Sequence, residues 1–194
     1  MNRVMHAALC AAGLLLVGPA WADEAPSKPS DTRPTMDFGL ARGGARIASK
    51  TFYIGGTSDI HAGDAYYGDI GVLHDFEGGA WSFKGTIGYS FALITAFNSS
   101  ITFKRFPLDM LIMYNDGRQH LGMGVTWHFN PRIDTGDSGH DVRYDDAGGL
   151  LLQYQYSHFG VRYTYIRYRA HDLVTHPSFD GSSLGLFINL TFGR

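Results

Sequence analysis

The stretch from Ser183 to Phe192 alternates between two kinds of side chain at every step. Because successive side chains of a strand point to opposite faces, this pattern predicts a β-strand with one continuous apolar face and one smaller, mostly polar face. The apolar face would carry Leu184, Leu186, Ile188, Leu190 and Phe192. Any fold assigned to the chain has to give such a strand something apolar to face.

Residues 1–22 have the features of a secretory signal peptide. Arg3 is followed by an apolar run from Ala7 to Val17, and Ala20-Trp21-Ala22 fits the small-x-small cleavage rule. The run is shorter than the roughly 20 apolar residues that a membrane-spanning helix needs. The single cysteine, Cys10, lies inside this segment. A mature chain that lacks cysteine can form neither a disulfide nor a thiolate site.

Residues 23–35 are rich in proline and charge and predict a flexible leader, so the folded domain is expected to span residues 36–194. In that domain the chain alternates with period two between turn signals, which predicts eight strands. The first seven are expected within 38–54 and at about 66–76, 81–93, 103–114, 119–129, 149–156 and 159–169.

The connections between these strands alternate in length. Those at 77–79, 115–117 and 157–158 are very short, whereas those at about 55–65, 96–101, 130–147 and 171–181 are longer and polar. Outer-membrane barrels have short turns at one end and long loops at the other. The sequence therefore predicts an all-β fold, an eight-stranded antiparallel up-and-down transmembrane β-barrel.

The size of the side chains indicates which face points outward. One face carries Trp, Phe, Tyr, Leu and Met, and eight strands enclose a lumen only wide enough to be filled by side chains. The bulky face is therefore expected to meet lipid, because so large an apolar surface in water would aggregate. A soluble lipocalin-like barrel, with its apolar face inside, is the rival fold. In the membrane barrel a polar lumen network is expected, formed by Lys84, Asp109, His128, Gln153, Arg162 and Asn189.

Five segments of the sequence resemble a family of small bacterial outer-membrane β-barrel proteins. They are Phe103–Leu108, Leu121–Val125 with His128–Pro131, Gly160–Thr164 and Asp180–Leu186. The resemblance implies the architecture of OmpA- and OmpX-type barrels in a Gram-negative outer membrane, and a family whose members mostly have no assigned activity. One departure is that Gly193-Arg194 follow Phe192, whereas such barrels usually end on the aromatic residue that the assembly machinery reads.

Two catalytic hypotheses and one metal hypothesis carry little weight. Some barrels of this size deacylate lipid A with a His-x-Ser pair on a lipid-facing strand, but His176-Pro177-Ser178 is predicted in a loop and Ser157-His158 has the reverse order in a turn. A metal site from His140, His171 and His176 is conceivable, although solvated loop residues explain them better. We expect no enzymatic activity, no bound metal and no cofactor.

The function expected from the sequence is a structural or surface-interaction role for a closed barrel, through the loops near 55–65, 130–147 and 171–181. A small outer-membrane channel and a lipid A-modifying enzyme are the alternatives. The expected partners are outer-membrane lipid, lipopolysaccharide and, during biogenesis, the barrel-assembly machinery. The net charge of −2 and the lack of a basic cluster argue against nucleic acid, and a monomer is expected.

Overall fold

The computed structural model describes residues 29–51, 57–96, 99–136, 141–171 and 175–193, so the predicted signal peptide lies outside the described residues. Within them no helix is long and apolar enough to cross a bilayer. The described strands are β1 (Asp31–Arg42), β2 (Arg46–Thr51), β3 (Thr57–His61), β4 (Ala65–Asp75), β5 (Trp81–Ala96), β6 (Ser99–Asp116), β7 (Gln119–Asp134), β8 (Val142–Arg143), β9 (Ala147–Tyr156), β10 (Phe159–Arg169), β11 (Ser178–Asp180) and β12 (Ser183–Thr191).

Eight of these strands close into a ring. The order is β1, β4, β5, β6, β7, β9, β10 and β12, and every neighbouring pair is antiparallel. The ring closes where β12 pairs with β1, from Thr35 opposite Thr191 to Arg42 opposite Leu184. Strand β12 is the alternating stretch at the end of the sequence. The predicted eight-stranded up-and-down barrel is confirmed.

The first strand lies earlier in the chain than the sequence predicted. It begins at Asp31, so residues 31–35 belong to the barrel rather than to a flexible leader. It ends at Arg42, because Gly43 and Gly44 follow with φ of 147° and 80°, outside the extended range of a strand. The residues beyond them form β2, which pairs with β3 in a separate hairpin. The predicted strand within 38–54 therefore joined two different elements.

The two ends of the barrel differ. Three short turns lie at one end, called here the turn end, between β4 and β5, β6 and β7, and β9 and β10. The β2–β3 hairpin, β8 and β11 lie at the opposite end, called the loop end. Strands β5, β6 and β7 contain 16, 18 and 16 residues, more than the roughly 9–11 that cross a bilayer. Much of the loops predicted at 96–101 and 130–147 is therefore strand.

The two faces of the ring carry opposite kinds of side chain. Large apolar residues such as Tyr66, Leu121 and Leu184 point outward and are 58%, 59% and 62% exposed. Polar residues such as Ser82 and Thr126 point inward and are buried. A soluble barrel has the reverse distribution, because so large an apolar exterior would aggregate in water. Such an exterior is stable in hydrocarbon, where a closed ring also satisfies every backbone hydrogen bond. The barrel is a transmembrane barrel, and the lipocalin-like alternative does not describe it.

Near the loop end, β7 contains a bulge that changes which residues face outward. Asn130 adopts a φ of 48°, and the register with β6 shifts between the pairs Phe106–Phe129 and Lys104–Arg132. An extra residue in one strand inverts its alternation beyond that point. Pro131 and Ile133 are consequently buried, and Arg132 lies on the outer face with Phe129.

The interior near the loop end is apolar. Residues from the ring and from the loop-end strands form one buried cluster, called here the loop-end cluster. Its members are Ile60, Ala62, Ala92, Ile94, Phe103, Ile133, Tyr144, Ala147, Ile166, Tyr168 and Ala170. The aromatic rings of Phe103, Tyr144 and Tyr168 meet edge to face with centroids 5.7–6.2 Å apart. This cluster fills the lumen beyond its polar middle.

Candidate functional site

The middle of the lumen is organised around Arg162 of β10. Its Nη1 donates hydrogen bonds to Asp69 Oδ2 and Asp109 Oδ2, each at 3.1 Å. Its Nη2 donates to Asp37 Oδ2 at 2.8 Å, and Nε and Nη2 both donate to Gln153 Oε1, at 3.2 and 3.1 Å. One guanidinium therefore joins three carboxylates, which uses the planar fork of donors that lysine lacks.

Asp37 is the second centre of the network. Lys84 Nζ donates to both of its oxygens, at 2.8 and 2.6 Å, and Asn189 Nδ2 donates to Oδ1 at 2.7 Å. With the bond from Arg162, the carboxylate accepts four hydrogen bonds from three side chains on three strands. Asp37 and Lys84 are 0% and 2% exposed. Charges taken this far out of water are stable only when paired and hydrogen-bonded, as these are.

Every strand of the ring contributes at least one residue to this network, and we call one set of eight residues, one from each strand, the charged layer. Thr126 supplies the member from β7, because its Oγ1 donates to Asp109 Oδ1 at 2.6 Å. In ring order the layer consists of Asp37, Asp69, Lys84, Asp109, Thr126, Gln153, Arg162 and Asn189. The layer spans the lumen from wall to wall.

Two cavities lie on either side of the charged layer and share no lining residue. The larger, about 700 Å³, opens at the turn end and is lined by Arg33, Asn115, His120 and Gln155 among others. The smaller, about 40 Å³, lies toward the loop end and is lined by Tyr67, Arg105 and His128 as well as by Asp69, Asp109 and Arg162. A space of the smaller size holds a few water molecules at most. Asp69, Asp109 and Arg162 of the charged layer line the smaller cavity, and Lys84 and Asn189 line the larger one.

The sequence predicted six lumen residues, and five of them lie in the charged layer: Lys84, Asp109, Gln153, Arg162 and Asn189. His128 is buried too but belongs elsewhere. Its Nδ1 lies 2.5 Å from the Tyr168 hydroxyl, at the border of the loop-end cluster. The structure therefore brings five of the six together and assigns the sixth to the apolar end of the lumen.

Four charged interior residues were not part of the predicted lumen network: Asp37, Asp69, Asp75 and Arg105. Asp37 precedes the segment predicted as the first strand. Asp69 lies mid-strand in β4, where its charge alone, incompatible with lipid, could have marked it as interior. Arg105 Nη1 donates to the Ala62 carbonyl at 3.1 Å, and its guanidinium carbon lies 5.0 Å from the Phe103 ring centroid. The hydrogen bond from Arg105 to Ala62 depends on the connection between β3 and β4, which enters the lumen.

The residues of the catalytic and metal hypotheses have other neighbours. His176 Nδ1 lies 3.2 Å from the Ala170 carbonyl, and His158 Nδ1 lies 3.2 Å from the Asn189 carbonyl. His171 pairs with Asp145 at 2.9 Å. Across the part of the chain that is described, no three His, Cys, Asp or Glu side chains are grouped as metal ligands would be. His140 lies outside the described residues.

A closed ring of eight antiparallel strands with a lipid-facing exterior and a packed interior defines the class of small eight-stranded transmembrane β-barrels. The architecture implied by the sequence resemblance is therefore confirmed. No protein-family model and no curated protein matches the sequence.

The solved structures that are similar to the chain include the following two. One is Neisserial surface protein A (NspA), with a TM-score of 0.47 and 10% identity over 85% of this chain and 100% of that chain. The other is Ail, the attachment invasion locus protein of Yersinia pestis, crystallised with the heparin analogue sucrose octasulfate. Its TM-score is 0.42, with 11% identity over 84% of this chain and 100% of that chain. At these identities the likeness concerns the arrangement of strands alone.

Proposed function

We propose that the chain is an integral protein of the Gram-negative outer membrane, with a lumen that does not conduct and a loop end that serves as an extracellular interaction surface. Its role is structural or surface-interactive rather than catalytic. It works as a monomer among outer-membrane lipid and lipopolysaccharide, after insertion by the barrel-assembly machinery. The observation that carries the proposal is the charged layer, which draws on all eight strands and separates the two cavities.

A second group of buried residues that fills the lumen supports a non-conducting barrel. Beyond the charged layer, the loop-end cluster fills the interior with Phe103, Tyr144 and Tyr168. An ion crossing the barrel would have to displace both a paired charge network and an apolar plug. A channel would need neither the charge network nor the apolar plug. If the lumen is sealed, only the exposed ends of the barrel can contact soluble partners.

The length of the strands at the loop end supports an extracellular role. Strand β6 has 18 residues, which exceeds the hydrophobic span by about eight residues. Together with β5 and β7, it extends the barrel sheet beyond the membrane, and the separate β2–β3 hairpin lies at the same end. A rigid sheet presented to solvent is a better docking platform than mobile loops, because less conformational freedom is lost on binding.

Conductance tests the closed lumen. The folded, mature chain in planar lipid bilayers is expected to give no steady ion current at either polarity. Discrete, reproducible conductance steps that depend on the amount of inserted protein would establish the small-channel alternative instead.

Labelling tests the orientation. The only cysteine is in the predicted signal peptide, so single cysteines can be introduced at Ser178 of the loop end and at Asp116 of the turn end, both of which are exposed. In intact cells a membrane-impermeant maleimide is expected to label Ser178→Cys and to leave Asp116→Cys unlabelled until the outer membrane is permeabilised. The opposite pattern would refute an extracellular loop end.

A further inference from the structure

We propose that the outer face of β6–β9 carries a binding site for one phosphorylated glycolipid of the outer leaflet, in which a row of cations holds the phosphate and a groove below it holds an acyl chain. The proposal deepens the proposed function, on which it rests for the location in the outer membrane. It depends on two features of the barrel exterior that lie one above the other.

The first feature is a row of three cations across neighbouring strands. Lys104 of β6 lies opposite Arg132 of β7, which lies opposite Arg143 of β8. Directly opposed residues share a face of the sheet. Lys104 is on the same face as Phe106, which points to lipid, so the row faces outward. The Lys104 and Arg132 side chains are 30% and 38% exposed.

The bulge at Asn130 creates this row. Without the extra residue, the alternation of β7 would turn Arg132 to the inside with His128 and Thr126. With it, Arg132 stands beside Lys104. The left-handed backbone at Asn130 therefore has a visible consequence, the alignment of the cations on the outer face of the barrel.

Two carboxylates of the described residues lie near the row, and Arg143 has an interaction of its own. Asp134 lies 2.5 Å from Lys104 Nζ and 3.3 Å from Arg132 Nε. Asp146 Oδ1 accepts the backbone N–H of Asn130 at 2.8 Å. The contact of Arg132 with Asp134 is through Nε, and a guanidinium has five N–H donors. Arginine donors in pairs match the geometry of a phosphate.

The second feature is an apolar groove on the same strands, nearer the middle of the membrane. It has a volume of about 620 Å³ and is lined by Leu108, Met110, Val125, Trp127, Phe129 and Gly148 among others. Leu108, Trp127 and Gly148 are direct neighbours across three strands. The groove exists because Gly148 has no side chain beside the indole, where an added Cβ would lie 2.9 Å from the Trp127 ring.

The spacing of the two features fits one lipid molecule. Lys104 is four residues from Leu108 along β6, about 13 Å at the rise of a strand. The cations therefore stand at the level of a headgroup when an acyl chain lies in the groove. A basic site directly above a hydrocarbon groove is complementary to an anionic lipid and not to a neutral one.

The test uses native mass spectrometry of the folded, mature chain in detergent with bis-phosphorylated lipid A, and with the same lipid after removal of its phosphates. Retention of one phosphorylated lipid per barrel is expected, with much weaker retention of the dephosphorylated lipid. The double variant Arg132→Gln/Arg143→Gln is expected to lower the apparent affinity about tenfold. Gly148→Leu, which fills the groove, is expected to lower it as well while leaving the cations in place.

The matched control is Arg42→Gln/Arg46→Gln. Both residues are exposed at the loop end on the opposite side of the ring, and their loss changes the net charge by the same amount. The control is expected to bind within about twofold of the parent chain. Equal loss in both double variants, or equal retention of the dephosphorylated lipid, would overturn the site. A dimer that retains no lipid would assign the groove to a second copy. None of these results bears on conductance or labelling, so the proposed function stands or falls separately.

Discussion

Arg162 and Asp37 are 125 residues apart in the chain, yet Nη2 of the arginine donates a hydrogen bond to Oδ2 of the aspartate across the lumen at 2.8 Å. Strand β10 carries one partner and β1 the other, with β12 between them in the ring. The ion pair thus bridges the seam at which the first and last strands close the barrel.

Removal of Arg162 is expected to destabilise the barrel strongly. Arg162→Met leaves Asp37, Asp69 and Asp109 with Lys84 as the only cation of the charged layer, and breaking a buried ion network in this way costs about 3–5 kcal/mol. Urea unfolding of the refolded barrel in lipid vesicles measures the loss. Arg169→Met, an exposed arginine on the same strand, is the control and is expected to change the free energy of unfolding by less than about 0.5 kcal/mol. Equal effects would show that the layer does not hold the barrel together.

The carboxylates of the charged layer are expected to differ in importance. Asp37 accepts four hydrogen bonds, whereas Asp69 accepts one from Arg162 and its Oδ1 has no hydrogen-bond partner among the described residues. An amide retains one acceptor, so Asp69→Asn can keep its bond while Asp37→Asn must turn an N–H toward Lys84 or Asn189. Asp37→Asn is therefore expected to cost at least about 2 kcal/mol more than Asp69→Asn in the same unfolding assay. A larger loss for Asp69→Asn would contradict this ranking.

Tyr168 is expected to be more sensitive to loss of its hydroxyl than its neighbours on β10. Tyr168→Phe leaves the buried His128 Nδ1 without the partner that lies 2.5 Å away, at a cost of about 1–3 kcal/mol. The unfolding midpoint in urea reports the change. The lipid-facing Tyr165→Phe, three residues earlier, serves as the control and is expected to be close to neutral. If both variants unfold at the same urea concentration, the His128–Tyr168 bond adds nothing to stability.

The bulge of β7 is expected to depend on the residue at position 130. Its φ of 48° suits glycine and asparagine but not a β-branched side chain. Asn130→Gly is expected to be nearly neutral, whereas Asn130→Val should cost about 1–2 kcal/mol. Valine could also remove the extra residue from the strand and turn Arg132 inward. Unfolding of the two variants side by side distinguishes them, and equal stability would mean that the bulge carries no strain.

Asp180, in the loop-end extension outside the membrane, is expected to titrate below the usual range of aspartate. Hydrogen bonds from the Ser182 side chain and from its backbone N–H lower the pKa of Asp180, and the N–H lies 2.9 Å from Oδ1. A lowered pKa in the folded state means that the turn is stabilised above the unfolded-state pKa of the carboxyl group. That contribution is lost as the pH falls through the folded-state pKa.

An NMR titration of the barrel in micelles measures the Asp180 pKa directly. Ser182→Ala removes the side-chain hydrogen bond and is expected to move the Asp180 pKa upward, toward its usual value, while the backbone bond remains. An unchanged pKa in Ser182→Ala would assign the shift to the backbone alone.

The strand ring could be predicted from the sequence because each strand crosses the membrane with one lipid-facing side. Hydrocarbon requires that side to be apolar, and alternation follows at once. The same reasoning placed Lys84, Asp109 and Arg162 on the inner face, where the structure has them. Their pairing could not be predicted, because it depends on the stagger of strands that are distant in the sequence.

The loop-end cluster was missed for a different reason. Beyond the membrane the outer face of the barrel meets water. There the polar side chains point outward and the apolar side chains point inward, although the side chains still alternate at every residue. In β6 the inward Phe103 and outward Lys104 follow this inverted rule, whereas Asp109 and Met110 follow the membrane rule. In β7 the bulge shifts the phase as well. A single criterion for inside and outside therefore fails where a strand leaves the hydrocarbon.

The charged layer takes one residue from each of eight strands, and this gives it a consequence for folding. A strand displaced by two residues keeps its apolar face toward lipid and is tolerated by hydrophobic patterning alone. The same slip moves its member of the layer by about 7 Å, beyond hydrogen-bond reach, and leaves a charged or polar group in the lumen without its partner. Side-chain alternation does not disfavour such a slip, but the loss of hydrogen bonds in the charged layer does. The charged layer therefore makes the correct strand register more stable than one shifted by two residues.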